Sequence, residues 1–330
     1  PFVSLGDWIQ NSVGRFQEDG FDGILESGYV LYRGTWRVAC SKFHFGTNIY
    51  DRDWDALIIL DGCRVDTLNK FANDYRFLRT NNTLTSVGSS SREWLAKTFT
   101  KSRLNDVNDT VYISANPYTN EILSPGNAKR NASPFNPNNW SSANKSDFYQ
   151  LEEVWKWGWD NNLGTVPPQI VTDRAISISR KLRPNRLIIH YMQPHQPFIP
   201  LKQRWLSNGK REEELGWVDE NCWNLLYKGE ISTSQVMEAY EENLKLVLDN
   251  LSTLLNNLAA NTVIISADHG NAFGEWGIYG HPAGFLHPSV KRVPWIKTTA
   301  EDSQEYEPKE KGALTSDTSV AKRLEDLGYL

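Results

Sequence analysis

Ala56-Leu57-Ile58-Ile59-Leu60 is apolar at every position and breaks at once into Asp61-Gly62. A strand with one wet face alternates apolar and polar residues, whereas a strand covered on both faces reads as an unbroken apolar run. The segment therefore predicts a buried strand of a parallel sheet, ending at Asp61. Three further runs share its character: 111–115, 187–192 and Thr262-Val263-Ile264-Ile265-Ser266-Ala267. Helical patterns lie between them. Residues 170–182 read as a helix halted before Pro184. Residues 233–260 put Val236, Tyr240, Leu244, Val247, Leu251, Leu254 and Leu258 on one stripe of a long helix. Strands alternating with helices predict an α/β fold with a mostly parallel central sheet flanked by helices.

The rest of the chain is organised around that sheet. Residues 1–50, rich in aromatics and glycine, read as lead-in helices able to dock on the main domain or make a peripheral membrane contact. Residues 51–330 then form the catalytic domain. Within it, 116–168 are rich in Asn, Pro, Ser and Trp with weak periodicity, and predict a long excursion over the active-site face. Hydrophobic content of 39% with 23% charged residues excludes a disordered chain. A net charge of −5 without a basic block gives no reason to expect nucleic acid as a partner. The three cysteines, Cys40, Cys63 and Cys222, are an odd number without metal-type spacing, which argues against a disulfide framework. No apolar run approaches the roughly 18 to 20 residues of a membrane span. The start does not resemble a signal peptide, which leaves the compartment open with the cytoplasm favoured.

Open α/β sheets bind ligands outside the carboxyl ends of their strands. Strand one ends at Asp61, the 187–192 strand carries His190 and runs into Pro194-His195, and the 262–267 strand ends at Asp268-His269-Gly270. Four of the six histidines (His190, His195, His269 and His281) thus lie on or just after strand ends. Singly, each has a plain structural reading: Asp61-Gly62 as a turn, a lone histidine as a satisfied core residue. Jointly, at three strand ends, they point to a site. Carboxylates with imidazoles suit a divalent cation, zinc or manganese first, with magnesium or calcium as harder alternatives. Gly270 supplies the turn that aims Asp268 and His269 at one ion.

At this point the residues resemble a known superfamily, that of alkaline phosphatases and sulfatases. Its opening metal-binding strand is similar to Ile58-Ile59-Leu60-Asp61-Gly62-Cys63-Arg64-Val65-Asp66, and its late metal motif to Ser266-Ala267-Asp268-His269-Gly270-Asn271-Ala272-Phe273-Gly274-Glu275-Trp276-Gly277. Its central segment resembles His190-Tyr191-Met192-Gln193-Pro194-His195-Gln196-Pro197-Phe198, and its C-terminal end resembles Arg323-Leu324-Glu325-Asp326-Leu327-Gly328-Tyr329. The resemblance implies that Asp61, Asp268 and His269 hold one metal, with the nucleophile's oxygen as a further ligand. That nucleophile belongs at a helix start after the first strand. Ser89, Ser90 and Ser91 precede such a helix, with Ser91 favoured, then Ser90, then Ser89. Ser90 and Glu93 also have the spacing of a capping box, the structural alternative.

Two departures shape the expected chemistry. Formylglycine sulfatases carry Cys or Ser four residues before an Arg, whereas Gly88 stands four before Arg92, and Cys63 is too near Asp61. In place of the usual lysine stands His281, which with His190 and His195 resembles the phosphate-holding histidines of phosphoethanolamine transferases. A second metal at these histidines is the other reading. The expected protein is a metal-dependent hydrolase or transferase of phosphate or sulfate esters, with phosphomono- or diesters favoured. Its substrate would be a small-molecule or a glycan- or lipid-linked ester. His195 and His281 would serve catalysis, His190 and Arg92 substrate binding. Alternatives are a sulfatase acting on sulfated carbohydrate and a degenerate binding protein, the latter because Asn271 replaces a usual glutamate.

Overall fold

The computed structural model describes residues 28, 29, 31, 32, 34, 45–79, 82–124, 141–207, 221–309, 322–324 and 327. Among these residues nine strands follow in chain order: β1 Ala56–Leu60, β2 Thr83–Thr85, β3 Thr110–Ser114, β4 Gln150–Glu153, β5 Arg186–Tyr191, β6 Ala260–Ser266, β7 Ala272–Phe273, β8 Tyr279–Gly280 and β9 Arg292–Ala300. The helices are α1 Val65–Lys70, α2 Ser91–Thr98, α3 Leu104–Asn108, α4 Tyr118–Ile122, α5 Pro168–Leu182, α6 Ile199–Ser207, α7 Cys222–Lys228, α8 Thr233–Leu255 and α9 Pro288–Lys291. Seven strands form one sheet in the order β2-β9-β6-β1-β5-β3-β4, and β7 with β8 makes a separate small hairpin. The core from β6 to β4 is parallel, while β9 runs antiparallel to β6 and β2 to β9.

The unbroken apolar runs have the expected cause. Ala56, Ile58 and Leu60 of β1 enter one core cluster, shared with α5 and α8, while Leu57 and Ile59 enter a second, shared with α2. Each strand residue is thus buried on one face or the other, and each such side chain contributes about 1.5 to 3 kcal/mol. Helix α8 opens on a capping box of Ser232 with Gln235 and buries Val236, Tyr240, Leu244, Val247, Leu251 and Leu254. It stops at Leu255, five residues short of the expected end, because β6 already begins at Ala260. Leu258 stays buried in the connection.

Strands β2, β4 and β9 carry no unbroken apolar run. β4 lies inside the expected excursion 116–168, as a half-buried Gln-Leu-Glu-Glu edge paired to β3. Most of the expected lead-in lies outside the described residues. Of its described positions, Tyr29 stacks on Tyr227 at 4.6 Å, and Tyr32 Oη donates to Trp276 O at 3.3 Å. Among the described residues no helix is long and apolar enough to cross a membrane. Near the C-terminus, Arg323 is buried, donates to Trp155 O at 2.5 Å and lies over the Trp155 and Trp159 rings.

Candidate metal centre

Sheet register builds the centre. β1 is flanked by β5 and β6 in parallel, with Ile59 opposite His190 on one side and Ser266 on the other. Asp61 and Asp268 each lie two residues further on, so alternation returns them to the face of Ile59 and Ser266. Neighbouring strands lie about 4.8 Å apart, which brings donors from three adjacent strand ends to one point. One ligand atom from each of Asp61, His190 and Asp268 lies within 4.8 Å of the others. His190 Nε2 is 3.7 Å from Asp61 Oδ2 and 3.9 Å from Asp268 Oδ2. His269 joins them, its Nε2 being 3.6 Å from Asp61 Oδ1 and 3.4 Å from Asp268 Oδ2. All four are fully buried.

The glycines beside the carboxylates act differently. Gly62 sits at φ +67°, a left-handed turn that lets its N–H reach Asp268 Oδ1 at 3.1 Å. Gly270 is not left-handed, contrary to the turn expected there. It allows close approach instead: a Cβ on it would meet Ser289 O at 2.2 Å.

The three serines separate cleanly. Ser91 is the first residue of α2, and its Oγ lies 3.1 Å from Asp61 Oδ2 and 3.3 Å from His269 Nε2. Ser90 caps the helix, accepting from Glu93 N at 3.4 Å. The reciprocal half of the box is displaced by one residue: Glu93 Oε2 accepts from Ser89 N at 2.7 Å. Ser89 is buried and faces the 282–285 loop, where its Oγ accepts from Gly284 N at 2.7 Å. Arg92 is ion-paired with Glu121 of α4 at 2.6 Å.

Four residues support the cluster, of which the sequence reading named only Asn271, as a departure from the family's usual glutamate. Asn116, just beyond β3, donates to Asp61 Oδ2 at 2.8 Å. Tyr112 Oη lies 2.8 Å from His190 Nδ1. Asn243 of α8 donates to Pro194 O at 3.2 Å and His195 O at 2.9 Å, fixing the turn after β5. Asn271 joins Gly62 O to His281. The signal for Asn116 is its place just after a strand end, the same position that makes Asp61 and Asp268 legible.

The electrostatics favour a cation. Burial alone would raise the Asp61 carboxyl, but the adjacent His190 ring, then His195 and His269, hold it well below the usual carboxylate range. His269 Nδ1 lies 2.8 Å from Gly270 O, which can only accept. Nδ1 therefore carries a proton, and Nε2 is the ring nitrogen that faces the carboxylates. His195 likewise donates Nδ1–H to Gln196 O at 2.6 Å, and burial lowers the pKa of its imidazole against the pull of Asp61. Among the described residues, His190 Nε2 and Asp268 Oδ2 are buried with no hydrogen-bond partner. Buried orphaned donors and acceptors are costly, and a cation between them satisfies both. The donor set of two carboxylates, two imidazoles and one hydroxyl suits zinc.

Residues 100–325 match the sulfatase family, more than half of the chain. The chain belongs to the sulfatase family. The matched span of this sulfatase-family protein includes His190, His195, Asp268, His269 and His281; Asp61 and Ser91 precede it. No curated protein matches the chain. Similar solved structures include the soluble domain of lipooligosaccharide phosphoethanolamine transferase A from Neisseria meningitidis, at 13% identity and TM-score 0.41, covering 73% of this chain and 75% of that one. The integral membrane form of that transferase aligns at 12% identity and TM-score 0.43, over 92% of this chain and 61% of its own length. The C-terminal periplasmic domain of EcEptC from Escherichia coli, in complex with Zn, aligns at 12% identity and TM-score 0.41, over 80% and 78%. Family membership gives the coarse activity, chemistry on phosphate or sulfate esters.

Proposed function

We propose that this sulfatase-family chain is a metal-dependent phosphoric ester hydrolase or phosphotransferase with Ser91 as nucleophile. The observation that carries the reading is the Ser91 hydroxyl at a helix N-terminus, 3.1 Å from Asp61 and 3.3 Å from His269. Asp61, Asp268 and His269 would hold a divalent cation, zinc or manganese first. His190, expected to hold substrate, has its Nε2 between the two carboxylates and suits a further ligand position better. A bound divalent cation lowers the pKa of a coordinated hydroxyl and draws off charge from a phosphoryl oxygen.

The chain's own residues then divide the work. Asp61 accepts from Ser91 and orients its Oγ, while Asn116 fixes the Asp61 carboxylate. The α2 N-terminus favours negative charge on that oxygen. His195 and His281, with ring centroids 4.9 Å apart, stand beside the cluster to handle the substrate's protons. Gly88 at the position a formylglycine motif would need, with Ser91 at the cluster, favours phosphate over sulfate esters.

The test is direct. Nitrophenyl phosphate, bis-nitrophenyl phosphate and nitrophenyl sulfate are assayed with zinc, manganese, magnesium and calcium. Turnover of a phosphate ester, dependent on metal and lost in Ser91→Ala, is the expected result. Faster sulfate turnover under every metal, or full activity in Ser91→Ala, would sink the reading.

A further inference from the structure

Asn271 follows the Asp268-His269-Gly270 turn and is fully buried. Its side chain spans two segments: Nδ2 lies 2.9 Å from Gly62 O, and Oδ1 lies 2.7 Å from His281 Nδ1. A peptide carbonyl can only accept, so the amide turns its NH₂ to Gly62 and its oxygen to His281. The amide oxygen also only accepts. The hydrogen of the second bond therefore belongs to His281 Nδ1, and the neutral ring carries its lone pair on Nε2.

The surroundings make that proton's position matter. His281 stacks on His269 at 4.3 Å and meets His195 edge-on at 4.9 Å. Of the four histidines gathered here, it alone is partly open to solvent. The backbone of Asn271 is held as firmly as its side chain. Arg64 Nη1 donates to Asn271 O at 2.7 Å and pairs with Glu275 at 2.6 Å, which pins the β7–β8 hairpin to the end of β1. Asn271 thus has one orientation available, and an amide fixes the ring without adding a third negative charge beside Asp61 and Asp268.

We propose that Asn271 is a positioning residue that holds the neutral His281 ring as its Nδ1–H tautomer, so that Nε2 serves as a proton acceptor. The consequence for chemistry rests on the proposed function. When water or an alcohol attacks the phosphoryl group on Ser91, its oxygen bonds to phosphorus and the bond from phosphorus to Ser91 Oγ breaks. The electron pair goes to Oγ and the attacking group's proton to His281 Nε2.

Side-chain ¹⁵N spectra of the zinc-supplemented protein at alkaline pH report the tautomer of each histidine, and the resonance missing from His281→Gln assigns His281. Wild-type His281 is expected to carry its proton on Nδ1. Asn271→Ala should move the ring to the Nε2–H form, and Asn271→Asp, which keeps an acceptor, should retain Nδ1–H. On nitrophenyl phosphate, kcat should fall about 10- to 100-fold in Asn271→Ala, the scale for losing a histidine's outer partner, with KM and zinc content near wild type. A wild-type Nε2–H ring, or an unchanged tautomer in Asn271→Ala, overturns the assignment. If Asn271→Ala does not fold, the wild-type spectrum decides. An Nδ1–H ring in a protein without esterase activity supports the assignment and removes the proposed function instead.

Discussion

Glu93 accepts a hydrogen bond from the Ser89 hydroxyl at 2.8 Å, and this buried contact fixes Ser89 at the start of α2, facing the loop that follows His281. Ser89 Oγ also contacts Pro282 O at 3.0 Å and accepts from Gly284 N at 2.7 Å and Phe285 N at 3.3 Å. Lys97 meets the other Glu93 oxygen at 2.5 Å. The helix that presents Ser91 and the loop that presents His281 are therefore held by one network.

Two serines two residues apart should consequently fail in different ways. Ser89→Ala leaves buried N–H groups without their acceptor and should cost about 1 to 3 kcal/mol of stability, with measurable turnover remaining. Ser91→Ala removes one hydrogen bond to an Asp61 carboxylate that Asn116 still serves, so it should cost no more than about 1.5 kcal/mol of stability and abolish turnover. Chemical denaturation and single-turnover assays on both variants separate the two, and the reverse pattern would exchange their roles.

Acid stability should depend on Glu93. Burial pushes its carboxyl up, but Lys97 and Lys291 with the hydrogen bonds from Lys97 and Ser89 outweigh burial, and the folded value lies below its ordinary 4.5. A depressed carboxylate stabilises the fold above its unfolded pKa, and that contribution disappears as pH falls through the folded value. Glu93→Gln should thus be destabilised by about 3 to 5 kcal/mol near neutrality, the scale for breaking a buried pair. The gap to wild type should narrow below about pH 4. A gap independent of pH would show that the carboxylate's charge contributes nothing.

Metal content should follow the carboxylates and His190 and ignore His281. Asp268→Ala and His190→Ala are expected to lose bound zinc by elemental analysis, and with it the rise in melting temperature on adding zinc. His281→Ala should retain the metal while turnover falls by about 10²-fold or more. Loss of metal in the His281 variant would make that residue a ligand, and normal metal in the His190 variant would return that residue to the substrate.

Activity should need no oxidised side chain. Mass spectrometry of the peptide spanning 80–97 is expected to show unmodified serines, since Gly88 occupies the place from which a formylglycine would arise. A formylglycine at Ser89, Ser90 or Ser91 would shift the reading to sulfate esters.

What the sequence by itself determined is the parallel core and the identity of its end residues. The runs at 56–60, 187–192 and 262–267 had to be covered on both faces, because their apolar residues do not alternate with polar ones, and two core clusters meet the two faces of β1. Asp61, His190, Asp268 and His269 were legible because strand ends in such sheets face the site. Strands β2, β4 and β9 were not: β2 and β4 are the half-wet edges of the sheet, and β9, though paired on both sides, mixes buried and exposed positions, so none of them carries a continuous apolar signal. Only the tertiary structure separated Ser91 from Ser90 and Ser89. Three adjacent serines share one local signal, and the distinction lies in contacts with residues 30 to 195 positions away: Asp61 and His269 for Ser91, Gly284 for Ser89. The same holds for Asn116, Asn243 and Asn271. An asparagine's partners depend on which backbone oxygens, carboxylates and ring nitrogens the fold brings within about 3 Å, and no periodicity along the chain encodes that.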